Sequence, residues 1–193
     1  GADGVGEILI GTAAANVINA NGGDDTVDGG AGDDTLQGGS GDDTLQGGSG
    51  GDALNGGTGF DMAVYSGSAA AVTVSLQTGT AIGGDAAGDT LSSIEGLFGS
   101  AFGDYLKGDG GANRLEGDAG DDLVEGGAGA DALVGGSGND TAKYAGSAAA
   151  VTISLLTGNA VGGDAAGDSF SSIENLFGSS FADHLKGNAG ANV

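Results

Sequence analysis

The sequence contains no proline, no cysteine and no tryptophan, a single histidine, four lysine and arginine residues in all, and 5% aromatic residues. Each shortage closes off a class of protein. Without cysteine there is neither a disulfide framework nor a thiolate metal site. Without proline, and without glycine at every third position, a collagen triple helix is excluded. The few basic residues face 27 acidic ones, for a formal net charge of −23 over 193 residues. So acidic a surface repels phosphate backbones and anionic headgroups, which excludes nucleic acid and membrane surfaces as natural partners. No apolar run approaches the ~20 residues of a membrane-spanning helix. Catalysis is poorly served as well, and the chain is not expected to be an enzyme. It has no cysteine nucleophile, and a Ser–His–Asp arrangement would rest on His184 alone.

What is present is glycine, 46 residues of 193, where an ordinary domain would carry roughly 7%. Few aromatics and a high net charge are signs of disorder. Yet 38% of the residues are hydrophobic, too many for a solvated tail. Periodicity separates a disordered acidic chain from a regular array. From Gly29 the chain reads GGAGDDTLQ, GGSGDDTLQ, GGSGGDALN and GGTGFDMAV, four nonapeptides ending at Val64. ANGGDDTVD (20–28) and GTAAANVIN (11–19) fit the same frame less well, so 11–28 is read as degenerate and 29–64 as strong. A second run opens at Gly99 with GSAFGDYLK, GDGGANRLE, GDAGDDLVE, GGAGADALV and GGSGNDTAK. A third opens at Gly178 with GSSFADHLK.

A longer period lies over the short one. Shifting by 79 residues aligns 56–114 with 135–193, and 41 of those 59 positions are identical. The shared interior, GSAAAVTVSLQTG (67–79) and GSAAAVTISLLTG (146–158), breaks the nine-residue frame before it resumes. The chain therefore divides into a first block (1–64), an insert (65–98), a second block (99–143), a second insert (144–177) and the start of a third block (178–193).

Within each nonapeptide the first six positions carry turn chemistry, since glycine accepts positive φ and close backbone approach. The last three place one apolar residue between two others, as a short strand with its middle side chain facing inward. Those middle residues are Val27, Leu36, Leu45, Leu54, Ala63, Leu106, Leu115, Val124, Leu133 and Ala142. Turn and strand in alternation predict a flattened spiral of parallel strands, about 18 residues per coil, around a thin apolar ladder. Insert segments such as 72–76 alternate likewise and continue the spiral, with Phe98 and Phe102 expected as larger plugs.

Such a coil stacks turn n on turn n+2, placing Asp34 over Asp52, Asp25 and Asp61 beside Asp43, and Asp122 near Asp104 and Asp140. Adjacent strands lie ~4.8 Å apart, and bare carboxylates at that spacing repel. A divalent cation between turns removes the repulsion. Carboxylates plus inward carbonyls supply about six oxygens in flexible geometry, the preference of Ca²⁺ over Mg²⁺; Zn²⁺ would ask for His or Cys. A phosphate cradle is disfavoured, since no Lys and helix follow the glycines. The position-five Asp24, Asp33, Asp42 and Asp121 read as a solvated face, His184 as a surface residue, and Tyr65 and Tyr144 as closing a core edge. Outward Thr26, Thr35 and Thr44 do not form an ice-binding ladder, because successive turns alternate sides and Ala53 and Met62 follow.

The tandem GGxGxDxUx units at 29–64 and 117–143 resemble the RTX (repeats-in-toxin) calcium-binding nonapeptide. The resemblance implies an all-β, right-handed parallel β-roll with Ca²⁺ held between turns n and n+2 by position-six carboxylates and glycine carbonyls. Carried over, the carboxylates are Asp25, Asp34, Asp43, Asp52, Asp61, Asp104, Asp122, Asp131, Asp140 and Asp183. The carbonyls are those of Gly30, Gly32, Gly39, Gly41, Gly48, Gly50, Gly127, Gly129, Gly136 and Gly138. Asn16 and Asn113 put a neutral oxygen at the same position, and the insert residues Asp85, Asp89, Glu95, Asp164, Asp168 and Glu174 are further candidates. Six or more ions are expected. Six carry +12 and would leave −11 of the formal −23. The resemblance also implies a module of a larger bacterial protein, exported unfolded by a type I secretion apparatus and folded by Ca²⁺ outside the cell or at its surface. The remainder of the parent chain, including the export signal, is expected to lie beyond this segment. Two further readings stay open: the accessory part of a secreted metalloprotease, lipase or alginate epimerase, and a Ca²⁺-stiffened stretch of an adhesin or surface-layer protein.

Overall fold

A computed structural model describes residues 4–190 and 192. The last three residues of each nonapeptide are extended, as the alternation predicts, but several strands run further. In the first block they are β1 (Ile8–Thr12), β2 (Val17–Gly22), β3 (Thr26–Ala31), β4 (Thr35–Ser40), β5 (Thr44–Ser49), β6 (Ala53–Thr58) and β7 (Met62–Val64). The glycine pair opening the next unit stays in the ladder, Gly39 opposite Gly57 and Gly30 opposite Gly48, so only about three residues turn the corner. The first insert contributes β8 (Thr73–Ser75), β9 (Thr80–Ile82) and β10 (Thr90–Ser92). At the end of the insert stands β11 (Gly96–Phe98), and the second block contributes β12 (Tyr105–Lys107), β13 (Arg114–Ala119), β14 (Leu123–Glu125), β15 (Ala132–Ser137) and β16 (Thr141–Lys143). Then follow β17 (Thr152–Ser154), β18 (Asn159–Val161), β19 (Ser169–Ser171), β20 (Asn175–Phe177) and β21 (His184–Lys186).

The chain winds between two sheets. One has the order β1-β3-β5-β7-β11-β13-β15-β19, the other β2-β4-β6-β10-β9-β8-β12-β14-β16-β20, and β18-β17-β21 form a third. Odd strands of the first block lie in one sheet and even strands in the other, and pairing is parallel at an offset of 18, with Val27 opposite Leu45 and Leu36 opposite Leu54. This is the parallel β-roll that the nine-residue frame predicts. The inserts lengthen one coil each. The backbone amide of Asp52 meets residue 89, 37 positions on, and that of Asp61 meets residue 95, 34 positions on. Strand β8 rejoins the roll in parallel with β12, while β9 folds back antiparallel on β8. A short 3-10 turn, Gly84–Ala86, leads into β10, and its counterpart is Gly163–Ala165.

The core is the expected single file. Val27, Leu36, Leu45, Leu54, Leu106, Leu115, Val124 and Leu133 are wholly or almost wholly buried, with Ala63 and Ala142 at the block ends. The plugs differ from expectation. Phe102 is 44% exposed and Phe98 half-buried; the insert coil is filled by Val72, Val74, Ile94 and Leu97. Phe98 occupies a flanking position of β11, and its neighbour Leu97 takes the inward one, opposite Ala63 and Leu115.

Because one apolar residue per half-coil supplies the interior, each is worth much. Leu45→Ala should cost about 3 kcal/mol, within the usual range for a buried leucine, whereas the exposed Thr35→Ala should stay within about 0.5 kcal/mol of the parent. Urea unfolding in calcium-containing buffer measures both; equal effects would show that the ladder is not the core.

Candidate metal centre

The turn ending in each position-six residue places its carboxylate inside the spiral, beneath the coil before it. One oxygen is used the same way at every step. Asp43 Oδ1 accepts the backbone N–H of Asp25 at 2.8 Å, Asp52 Oδ1 that of Asp34 at 2.7 Å, and Asp61 Oδ1 that of Asp43 at 2.8 Å. In the second block Asp122 takes Asp104 at 2.8 Å, Asp131 takes Asn113 at 2.9 Å, and Asp140 takes Asp122 at 2.9 Å. Glu7 and Asn16 donate likewise to Asp25 and Asp34. Turn n is thereby stitched to turn n+2, in the pairs anticipated from spacing.

The other oxygen distinguishes the turns. Oδ2 of Asp25, Asp34, Asp43, Asp52, Asp61, Asp122, Asp131 and Asp140 is buried and has no hydrogen-bond partner. A buried carboxylate oxygen left unpaired is costly, and eight in register form a row of oxygens that could hold cations. Asp104 and Asp183 behave differently. Ser100 donates its N–H to Asp104 Oδ2 at 2.5 Å and its hydroxyl to Oδ1 at 2.8 Å. Ser179 does the same for Asp183, at 2.6 Å for both bonds. The serine closes the turn on itself, and these hydrogen bonds hold the Asp183 carboxyl below its ordinary range. Asn16 and Asn113 close their turns through Oδ1, which accepts the N–H of Thr12 and Asp109.

The glycines divide by position. Gly30, Gly32, Gly39, Gly41, Gly48, Gly50, Gly127, Gly129, Gly136 and Gly138 all take positive φ. Their carbonyls point along the roll: a β-carbon on Gly48 would lie 1.8 Å from the Gly30 oxygen, and one on Gly50 2.2 Å from that of Gly32. Sequence reasoning missed the first glycine of each unit. A β-carbon on Gly29 would fall 2.5 Å from Asp34 Oδ2 and 2.7 Å from the Gly47 carbonyl oxygen. Gly38 stands equally between Asp43 Oδ2 and Gly56 O, at 2.3 and 2.7 Å, and Gly117 between Asp122 Oδ2 and Gly135 O, at 2.0 and 2.6 Å. Each such oxygen pair is at most about 5 Å apart, which a single Ca²⁺ with ligands at 2.3–2.6 Å can bridge. The strict repetition of glycine where its φ is not positive was the available signal.

Among the described residues no three carboxylate or imidazole side chains converge, so a cation here must draw on backbone carbonyls. That donor set is all oxygen, and it fits Ca²⁺. Three of the four basic residues are engaged elsewhere. Lys107 and Lys143 reach Glu125 at 3.1 and 2.9 Å, Tyr105 donates to Glu125 at 2.6 Å, and Arg114 pairs with Glu116. Although burial pushes Glu125 up, these partners hold its carboxyl below its ordinary value. Position-five Asp24, Asp33, Asp42 and Asp121 are exposed as expected, yet they form an outer ladder: Asp24 Oδ1 accepts the Asp42 N–H at 2.9 Å and Asp42 Oδ1 that of Phe60 at 2.8 Å. His184 is exposed. Tyr65 and Tyr144 are buried and donate to Asp89 and Asp168.

Burial, reinforced by neighbouring carboxylates, raises Asp61, Asp122 and Asp131 from 3.8 to about 6, and Asp43, Asp52 and Asp140 in the same direction. Backbone hydrogen bonds oppose the shift without cancelling it. The folded, metal-free roll therefore holds more protons than the unfolded chain between pH 4 and 6. That contribution to stability is complete at low pH and lost as pH rises through about 6. Metal-stripped protein should accordingly gain β-structure between pH 7.5 and pH 5, read by circular dichroism; a flat or falling signal would contradict the buried ladder.

A family model described as the RTX calcium-binding nonapeptide repeat matches residues 2–36, 28–63, 107–142 and 169–193, more than half of the chain. No curated protein matches it. With the frame, the roll and the oxygen-lined turns in agreement, this chain belongs to the RTX calcium-binding nonapeptide-repeat family, as a calcium-binding structural module.

Proposed function

We propose that this segment is a calcium-triggered folding module of a secreted or cell-surface protein, delivered unfolded through a type I apparatus and ordered on meeting extracellular Ca²⁺. The observation that carries the reading is the row of eight buried, unpartnered Oδ2 atoms. A chain of −23 formal charge must stack those carboxylates at strand spacing, and ordering each residue costs roughly 1–2 kcal/mol of conformational entropy. A single file of Leu and Val offsets little of that. Bound Ca²⁺ supplies positive charge to the paired oxygens, and the binding free energy becomes folding free energy. Extracellular modules bind Ca²⁺ at ~10⁻⁴–10⁻³ M, so the same chain stays unfolded where calcium is scarce.

The ligands on this reading are the position-six carboxylates of Asp25, Asp34, Asp43, Asp52, Asp61, Asp122, Asp131 and Asp140 with backbone carbonyls of the facing turn, a glycine carbonyl in the case of Asp34, Asp43 and Asp122. Asp104 and Asp183, already satisfied by Ser100 and Ser179, contribute through Oδ1 stitching alone. About six ions fill the two blocks, 1–64 and 99–143, and the inserts at 65–98 and 144–177 join them. Of the wider roles, a stiffened spacer is favoured over an enzyme's accessory domain. The 79-residue unit repeats with its insert intact, so the architecture extends by copying.

Two measurements test this. Circular dichroism should show β-structure in millimolar Ca²⁺ and an unfolded spectrum in EGTA at pH 7.5; an unchanged β signal in the chelator would defeat the proposal. Gly29→Ala should then weaken one calcium site at least tenfold by calorimetry. Alanine usually stabilises where φ permits it, so unaltered binding would show that the Asp34–Gly47 gap holds no ion.

A further inference from the structure

The nonapeptide frame stops at Val64 and at Lys143, and the ladder on one edge goes on regardless. Past Asp61 the next residue on that edge is Glu95, and past Asp140 it is Glu174. Asp61 donates its N–H to Glu95 Oε2 at 2.9 Å, and Asp140 to Glu174 Oε2 at 3.0 Å. The carbonyl opposite is replaced too. A β-carbon on Gly56 would lie 2.4 Å from Asp61 Oδ2 and 2.1 Å from the Ser93 carbonyl oxygen; on Gly135, 2.3 Å from Asp140 Oδ2 and 2.0 Å from that of Ser172. Inside the blocks the same places are filled by Asp43 Oδ2 with Gly56 O and by Asp122 Oδ2 with Gly135 O. Asp61 and Asp140 are each 0% exposed, and Oδ2 of each is unpartnered. Ser93 and Ser172 hold positive φ of 50° and 49°, whereas the first glycine of a regular unit, whose carbonyl theirs replaces, does not.

We propose that each insert builds a divalent-cation site of its own outside the repeat motif: Asp61, Glu95 and the Ser93 carbonyl in the first, Asp140, Glu174 and the Ser172 carbonyl in the second. The proposal rests on the calcium reading above, with Ca²⁺ as the ion. The extra methylene of glutamate suits a coil whose backbone returns after 34 residues rather than 18. The opposite edge of each insert is built differently. Asp89 and Asp168 continue the stitching to Asp52 and Asp131 at 2.8 and 3.0 Å. Their Oδ2 atoms, however, accept the hydroxyls of Tyr65 and Tyr144 at 3.1 and 2.6 Å. At Gly47 and Gly126 an added β-carbon would meet closest the unit's own Asp52 or Asp131, with no insert carbonyl among its nearest neighbours. Each insert thus satisfies its own aspartate with a phenol on one edge and extends the other with a cation site.

The test is calcium stoichiometry of the whole 193-residue chain by calorimetry and equilibrium dialysis. Glu95→Gln and Glu174→Gln keep an acceptor for the Asp61 and Asp140 amides while removing the charge. Each should bind one ion fewer, and the double variant two fewer, with β-structure in millimolar Ca²⁺ retained. Tyr65→Phe should keep the parent count. Parent-level count and affinity in both glutamine variants would overturn the proposal while leaving the in-frame sites standing. If the parent itself bound no Ca²⁺, the underlying reading would fall first. Should a glutamine variant not fold in Ca²⁺, Gly56→Ala and Gly135→Ala, which place a methyl between the two oxygens, must each lose one ion, and retention of the count would overturn it equally.

Discussion

The structure depends on a column of carboxylates that repel one another and are nevertheless held in register. At ~4.8 Å separation and an effective dielectric of about 20, adjacent unit charges cost about 3–4 kcal/mol. Each of eight aspartates spends one oxygen on the amide of the coil before it, which fixes the stacking, and leaves the other without a partner, which makes the stack unstable alone. One residue type both specifies the geometry and withholds its stability. A neutral side chain does neither: Asn113 and Asn16 still donate their backbone N–H to the next coil's carboxylate, but Oδ1 of each closes its own turn instead of accepting from the coil before.

The rest of the composition answers to this constraint. An interior one residue wide cannot hold a self-repelling spiral, and enlarging it would require strands longer than the turns permit. Glycine serves close approach as much as conformational freedom. At position one its missing β-carbon leaves the space shared by Asp34 Oδ2 and the Gly47 carbonyl. Positive charge is kept off the ladder: Lys107 and Lys143 lie on outward strand positions and converge on Glu125, 18 residues from each. Basic residues placed on the edges would satisfy the carboxylates permanently and remove the dependence on an ion.

Much of this was legible beforehand. The nine-residue spacing gave the parallel roll, the 18-residue coil, the inward Leu and Val file and the pairing of turns n and n+2, because all follow from one repeated unit. Features that depend on a single exception were not. Ser100 and Ser179 replace a glycine and capture the aspartate four residues on, an effect that hinges on where one hydroxyl points. Phe102 was read as core from its size, but it sits in a turn, on the solvent side of that serine. Glu95 and Glu174 are candidates from the sequence, but their partners are not, since only the folding of the insert brings residues 34 apart onto the same edge.

The long period carries a consequence that neither block shows alone. Strands β10 and β19 are equivalent by the 79-residue shift, as are β11 and β20, yet β10 lies in the ten-strand sheet and β19 in the eight-strand sheet, and β11 and β20 are exchanged in the same way. The repeat therefore spans an odd number of half-coils, and each copy is turned over relative to the last. Around the first insert the ten-strand sheet takes in β10, β9 and β8 between β6 and β12, whereas the eight-strand sheet steps directly from β7 to β11. The turning-over exchanges the two sheets between one copy and the next. It also sends Glu95 and Glu174 to opposite edges, since the turn of Asp61 leads into the eight-strand sheet and that of Asp140 into the ten-strand sheet. The two irregular turns, each pairing an aspartate with an insert glutamate and a serine carbonyl, therefore lie on opposite edges of one roll.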